Sequence, residues 1–135
     1  KNLKNAKSSI YLLRLYIVSI SKWLIKTKIK MKRVILESPY AGDVERNIKY
    51  ARECLKDSLK RGEAPIASHL LYTQDGVLDD TIEEERMWGI NAGLAWKEVT
   101  DLHVFYIDFG MSNGMKYASE YAKSQNIDTE YRTLY

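Results

Sequence analysis

Short apolar runs alternate with longer amphipathic segments along most of the chain. Residues 33–38 (RVILES) form an apolar, β-branched run, which is typical of a strand buried on both faces. Apolar residues then recur every three or four positions, which predicts a helix after this strand. Residues 60–62 (KRG) suit the end of that helix, because cations and glycine favour helix C-termini. The predicted inner face of the helix consists of Val44, Ile48, Ala51, Leu55 and Leu59.

The alternation continues through the second half of the sequence. Residues 64–72 (APIASHLLY) predict a second strand, with the proline near its start where a strand tolerates it. A turn at Asp75-Gly76 follows, and Thr81 with Glu84 matches a capping box, which predicts a helix to about residue 99. Its predicted inner face contains Ile82, Ile90 and Leu94. A third strand, a turn, a third helix and a fourth strand are predicted over residues 102–108, 109–114, 115–126 and 127–135.

This order of elements predicts the fold class. Strands separated by helical segments of more than ten residues indicate right-handed βαβ units. We therefore expect a three-layer α/β sandwich around a mainly parallel sheet of four to five strands. The strand-to-helix turns at 37–43, 72–80 and 108–114 then share one sheet edge, where ligands bind in open α/β sheets. We expect a ligand across the first and third turns.

The charge distribution divides the chain near residue 31. Residues 1–33 carry ten Lys or Arg and no acidic residue, whereas residues 34–135 carry a net charge of −7. We predict a basic extension at 1–30 and a domain at 31–135. The extension is rich in Lys, Asn, Ile, Leu, Ser and Tyr, as translated AT-rich DNA is, so one alternative is that it is not native. Another is a helix on a membrane or a partner, since the apolar run is too short to span a bilayer.

Several classes of protein are disfavoured by composition. A single cysteine, Cys54, allows no disulfide framework and gives no sign of an oxidising compartment, so we expect a cytoplasmic protein. His69 and His103 show no paired ligand spacing, and we expect neither a metal nor a cofactor. Basic and aromatic residues do not interleave in the domain, which argues against nucleic-acid binding. A membrane partner is expected only if residues 1–30 are native.

The first turn carries candidate binding chemistry. Ser38 and Tyr40 supply hydroxyl groups, Pro39 fixes the backbone, and Gly42 lets the backbone pass close to a ligand. Asp43 is placed to cap the following helix. The turn lacks the glycine patterns of dinucleotide and phosphate loops. A plain capped turn remains the alternative.

The third turn and the end of the second predicted strand carry further candidates. Asp108 closes a strand, and Ser112, Asn113 and Gly114 open the next helix, where free amides suit an anion or a sugar hydroxyl. Capping of the helix by Ser112 is the alternative. His69 is either a satisfied buried histidine or a site residue.

Together, the two turns resemble a known family. The order strand–SPYxGD–helix, then RGEAPIASHLL, then strand–D–x3–SxGM–helix is similar to nucleoside 2-deoxyribosyltransferase-like proteins, in particular a short phage and bacterial branch. The resemblance covers residues 32–127. It implies a flavodoxin/Rossmann-like sandwich, binding of a nucleoside or nucleotide, and cleavage or transfer of an N-glycosidic bond. It also implies a homo-oligomer.

The resemblance implies roles for individual residues. Ser38, Pro39, Tyr40, Gly42 and Asp43 would line the sugar or base pocket. Asp108, Ser112, Asn113, Gly114 and Met115 would lie near the base, sugar or phosphate, and His69 would face the same cleft.

The expected nucleophilic glutamate is absent. Ala118 occupies its position in the third helix, and Glu120 lies about 160° further around the axis. Glu37, beside the first turn, is the other nearby carboxylate. We therefore take Glu120 and Glu37 as the candidate catalytic residues. The alternative function is a non-catalytic protein that binds or sequesters a nucleotide or a nucleotide-derived signal.

Overall fold

The computed structural model describes residues 9–20 and 31–135. Residues 1–30 and 31–135 form two separate compact units. In the first unit the described residues are helical, and the expectations about residues 1–8 and 21–30 lie outside the described part of the chain. Among the described helices, none combines the length and the apolar character needed to cross a membrane.

The second unit is built on a four-stranded sheet. Its strands are β1 (Arg33–Glu37), β2 (Ala64–Ile66), β3 (Leu102–Tyr106) and β4 (Thr129–Arg132). All neighbouring pairs are parallel, and their order is β2-β1-β3-β4. The strands β2 and β3 lie on opposite sides of β1, so the strand order reverses between β1 and β3 and the topological switch point lies there. The predicted α/β sandwich with a parallel sheet is confirmed.

Four helices flank this sheet: α1 (Val44–Lys60), α2 (Ser68–Leu71), α3 (Glu83–Lys97) and α4 (Asn113–Ser124). The helix α2 corrects the prediction that the second strand extends to residue 72. The amides of Leu70 and Leu71 bond to the carbonyl of Ala67 at 3.1 and 2.9 Å, which turns the backbone into a helix directly after β2. A four-residue helix is too short to show a helical period, so an apolar run cannot reveal it.

Two of the three proposed helix starts agree with the structure. Asp43 accepts a hydrogen bond from the amide of Arg46 at the start of α1, and Ser112 accepts one from the amide of Met115 at the start of α4. The capping box at the start of α3 is wrong. Thr81 instead donates through its amide and hydroxyl to Asp79, and α3 starts without a side-chain cap.

On one face of the sheet, α1 packs with Tyr50 and Cys54 against the even-numbered residues of β1 and β3. Its inner face differs from the prediction, because Val44 and Leu59 are exposed. Polar side chains replace them. Asn47 donates to the carbonyls of Tyr40 and Ala41, and such satisfied polar groups can face the core. The buried residues of α1 are Asn47, Tyr50, Ala51, Cys54 and Ser58.

A second cluster, built from Phe105 of β3 with Met115 and Ala118 of α4, holds α4 against the sheet. The helix α3 buries little, and the predicted inner residues Ile82 and Ile90 are exposed. Its buried residues are Gly93 and Lys97. A Cβ atom at Gly93 would lie 2.9 Å from Ser68 Oγ, so the missing side chain permits α3 to approach α2.

Candidate functional site

A serine and a histidine meet at the carboxyl end of β1. Ser38 follows this strand directly and is 4% exposed. His69 lies in α2, and its Nε2 is 2.8 Å from Ser38 Oγ. The short helix α2 makes this contact possible, because it turns the chain back over β1 immediately after β2 ends. The structure therefore brings together two residues that sequence reasoning assigned to separate elements.

Glu37 lies in a buried charge cluster behind this pair. Its Oε1 is 3.3 Å from both Lys97 Nζ and His103 Nε2, and its Oε2 is 3.9 Å from His69 Nδ1. Burial alone would raise the pKa of Glu37, but it is outweighed by the hydrogen bond to His103, the charge that His69 carries when protonated and the charge of Lys97, and the pKa is lowered. Glu37 is therefore an ionised carboxylate whose two oxygens both face basic groups.

His69 is held in its neutral form. Burial lowers the pKa of His69, and the negative charge of Glu37 opposes this only in part. Its Nδ1 has no hydrogen-bond partner among the described residues. A neutral imidazole presents one N–H and one lone pair, so either Nδ1 or Nε2 carries the proton.

An open cleft of about 670 Å³ lies beside the first turn. It runs between that turn and the loop that leads to α3, and the third turn contributes none of its lining residues. Only the first of the two turns expected to hold a ligand therefore lines this cleft, and a ligand across the first and third turns stays a prediction. The lining residues are Tyr40, Ala41, Gly42, Val44, Thr73, Gln74, Asp75, Gly76, Val77, Leu78, Asp79, Asp80, Thr81 and Glu85.

Asp108 has internal partners at the third turn. It accepts a hydrogen bond from the hydroxyl of Tyr50 at 2.5 Å and from the amides of Leu134 and Tyr135 at 3.0 and 3.1 Å. Burial would raise the pKa of Asp108, but these hydrogen bonds outweigh it and lower the pKa. Next to it, Phe109 packs against the Tyr50 ring. Asp108 thus fixes the chain after β4, and its role in binding a ligand stays a prediction.

A comparison with family models identifies the domain. The model of a domain of unknown function, DUF7768, matches residues 32–132. The chain belongs to the DUF7768 family. The matched residues include all four strands and the helices α1 to α4. No curated protein matches the chain.

Within the DUF7768 domain, the two proposed catalytic carboxylates lie in different surroundings. Glu120 is exposed on α4, whereas Ala118, at the position of the expected nucleophile, is buried against Phe105. The helix is regular over this stretch, so no local shift exchanges the two positions. Glu37 is committed to its basic neighbours. The structure does not bring Glu120 and Glu37 together.

The remaining candidates fall into three groups. Tyr40 and Gly42 line the cleft, and Gly42 adopts a φ of 93°, which only glycine takes readily. Asp43 caps α1 and Pro39 is buried behind the turn. The third group lies at the start of α4: Ser112, Asn113 and Gly114 are exposed and Met115 is in the core.

Two parts of the site were missed by sequence reasoning. Lys97 is 5% exposed beside Glu37, although a lysine in the last turn of a helix usually lies in solvent. Thr73 and Gln74 line the cleft, and only their position in the second turn hinted at this. Among the described residues, no group of three or more His, Cys, Asp or Glu side chains is placed to hold a metal ion.

Proposed function

We propose that the DUF7768 domain binds a nucleoside in the cleft between the first turn and residues 73–85. The observation that carries the proposal is the cleft itself, which opens at the carboxyl edge of a parallel sheet beside β1. Ligands of α/β domains bind at this edge. Its volume of about 670 Å³ lies within the range of small-molecule pockets.

The lining offers the contacts that a nucleobase needs. Tyr40 supplies an aromatic ring on which a base can stack, and Val77 and Leu78 supply apolar surface. Gln74 can donate and accept hydrogen bonds at the edge of a base, and Thr73 adds a hydroxyl.

The charge of the lining favours a nucleoside over a nucleotide. Asp75, Asp79, Asp80 and Glu85 line the cleft, and the described lining residues include no Lys, Arg or His. A phosphate would therefore meet like charges without a cation to pair with. We expect the 5′-monophosphate to bind at least about fivefold more weakly than the nucleoside, since repulsion between unit charges at close range costs on the order of 1 kcal/mol even in water.

The positions of the two candidate carboxylates favour reversible binding over covalent catalysis. A glycosyl-enzyme intermediate requires a carboxylate at the anomeric carbon, and Glu37 is paired while Glu120 is exposed. The resemblance to deoxyribosyltransferases supports cleavage of the N-glycosidic bond as the second candidate. The lone buried thiol of Cys54 suits a reducing compartment, and we propose a cytoplasmic location.

Calorimetry with the common ribo- and deoxyribonucleosides and their 5′-monophosphates tests the proposal. We expect at least one nucleoside to bind reversibly, and chromatography after incubation should recover it intact. Release of free base would show instead that the protein cleaves the N-glycosidic bond. If no compound in the panel bound, both forms of the proposal would fail.

Two matched tyrosine variants locate the binding site. Tyr40→Ala removes the ring that lines the cleft and should weaken binding by about tenfold or more, since stacking on an aromatic ring contributes about 1–3 kcal/mol per base. Tyr117 is exposed on α4 and does not line the cleft. Tyr117→Ala should leave the affinity unchanged. Equal effects of the two substitutions would place the ligand elsewhere.

A further inference from the structure

We propose that Ser38 is a nucleophilic serine, that His69 is its general base, and that the pair acts on small carboxylic esters at the carboxyl end of β1. This activity is separate from nucleoside binding and does not depend on it. Ser38 Oγ lies 2.8 Å from His69 Nε2, a distance at which the imidazole can take the hydroxyl proton. Glu37 stands behind His69 as a positioning residue.

The arrangement has the three parts of an activated nucleophile. A nucleophile and a base within hydrogen-bond distance, with a third group behind the base, is the signature of such sites on unrelated folds. Here the third group is Glu37, whose Oε2 lies 3.9 Å from His69 Nδ1. The distance exceeds a hydrogen bond, so the carboxylate acts on the imidazole through its charge.

That charge selects the tautomer of His69. With the proton on Nδ1, an N–H faces the Glu37 carboxylate, and Nε2 presents its lone pair to Ser38. With the proton on Nε2, the Nδ1 lone pair would face the same carboxylate and be repelled. The buried Nδ1 has no other partner among the described residues, so the electrostatics favour the Nδ1 proton. In that tautomer the Ser38 hydroxyl donates to Nε2, as a nucleophile donates to its base.

The proposed reaction has two steps. Ser38 Oγ forms a bond to the carbonyl carbon of the ester while its proton passes to His69 Nε2. The bond from that carbon to the leaving alcohol breaks, and the alcohol takes the proton from His69. Water then attacks the acyl carbon on Ser38 and gives a proton to His69. The bond from that carbon to Ser38 Oγ breaks, Ser38 Oγ takes the proton back from His69, and the carboxylic acid leaves.

Two features of the site set the choice of probe. Ser38 is only 4% exposed, so the reagent must be small. Pro39 follows Ser38 and has no N–H to stabilise an oxyanion, so we expect ester turnover to be slow. Methanesulfonyl fluoride is a suitable probe, because Ser38 Oγ displaces fluoride from sulfur and retains the sulfonyl group. Cys54 does not compete, since it is fully buried and burial raises its pKa to about 12.

The full chain is incubated with this reagent, and modified residues are located by peptide mass spectrometry. We expect Ser38 to be labelled at least about 100-fold faster than Ser124, an exposed serine at the end of α4, because general-base catalysis contributes about 10²-fold or more. His69→Gln should lower the rate at Ser38 by about the same factor, with the fold checked by circular dichroism. Slow hydrolysis of p-nitrophenyl acetate should disappear in Ser38→Ala.

The pH dependence of labelling at Ser38 distinguishes catalysis by His69 from the uncatalysed reaction of the serine hydroxyl. The charged and titratable groups that face His69 or its carboxylate partner are Glu37 from β1, Lys97 from α3 and His103 from β3. The pKa of His69 lies below its usual value, so labelling should rise with pH in the acid range and level off by about pH 7. A hydroxide-driven reaction would instead rise about tenfold per pH unit. Such a rise, or equal labelling of Ser38 and Ser124, would overturn the proposal even if His69→Gln did not fold.

Discussion

At the scale of single residues, one ion pair connects two distant parts of the domain. Arg132 of β4 donates two hydrogen bonds of 2.8 Å to the two carboxylate oxygens of Glu63, just before β2. Both residues are at least nine-tenths buried, and Ser58 also donates to Glu63 at 2.7 Å. A bidentate geometry of this kind is the strong form of an Arg–carboxylate pair. Its value to stability depends on both partners being present.

Arg132→Met should destabilise the domain by about 3–5 kcal/mol at about pH 7, because it leaves the Glu63 carboxylate buried without its cation. The hydrogen bond from Arg132 is the main reason that the pKa of Glu63 is lowered, with burial opposing it. A lowered pKa in the folded state stabilises the fold above the unfolded pKa, and this is lost as the pH falls through the folded pKa. The difference between wild type and variant should therefore shrink at about pH 3. Urea unfolding of both proteins at the two pH values measures this difference in the free energy of unfolding.

A surface pair provides the control for this substitution. Arg61 bonds to Asp57 at 2.8 Å, and its side chain is about half exposed. Arg61→Met should cost only about 0.5 kcal/mol or less, as exposed pairs one helical turn apart usually do. If the two variants lost the same stability, the buried pair would not have the role assigned to it.

The single residues of the site show where sequence reasoning stops. Ser38 and Tyr40 could be selected because they follow a recognisable buried strand. The contact between Ser38 and His69 could not, since it depends on α2, which has no period to detect. The burial of Lys97 escaped prediction for a related reason: its partner Glu37 is 60 residues away in sequence, and only the packing of α3 brings them together.

At the scale of elements, α3 is unusual among the helices of the domain. It buries only Gly93 and Lys97 among its 15 residues. Trp88 and Trp96 are 55% and 45% exposed, and Met87 is 41% exposed. Exposed apolar surface of this kind often marks a protein–protein contact. We propose that α3 packs against a second copy of the chain, in agreement with the homo-oligomer that the family resemblance implies.

Trp88→Arg tests this assembly. The full chain should form a dimer, and the substitution should raise its dissociation constant by at least about tenfold, because a buried tryptophan is a common hot spot of an interface. Sedimentation equilibrium measures the constant. Tyr117→Arg changes an equally exposed aromatic residue on α4 and should leave the dimer intact. A wild-type chain that stays monomeric would contradict the proposal.

The elements themselves were largely predictable. Strand positions and long helices follow from local hydrophobic period, and the caps at Asp43 and Ser112 follow from residue type. The residues on the inner faces of α1 and α3 could not be predicted from the hydrophobic period. Asn47 is buried through hydrogen bonds to a neighbouring turn, and α3 leaves apolar residues in solvent. Both facts depend on tertiary packing, which the hydrophobic period of a sequence does not predict.

At the scale of the whole molecule, the stabilising contacts described for the DUF7768 domain come from residues 31–135. The sheet, both core clusters and the Glu63–Arg132 pair all lie within this range. The charge asymmetry in the sequence placed the boundary near residue 31, and the chain divides into compact units at the same point. The location of the cleft was not predictable, because its lining comes from a loop whose path depends on how α2 and α3 pack.

A fragment of residues 31–135 should fold without the N-terminal unit. We expect cooperative unfolding in urea with a free energy of unfolding within about 1 kcal/mol of that of the full chain, because a single domain of this size usually unfolds as one unit. The affinity for any nucleoside that the full chain binds should also be unchanged, since the lining of the cleft comes from residues 40–85. Circular dichroism and calorimetry on the two chains make the comparison. A fragment that is unfolded, or that loses the ligand, would show that residues 1–30 are an essential part of the protein.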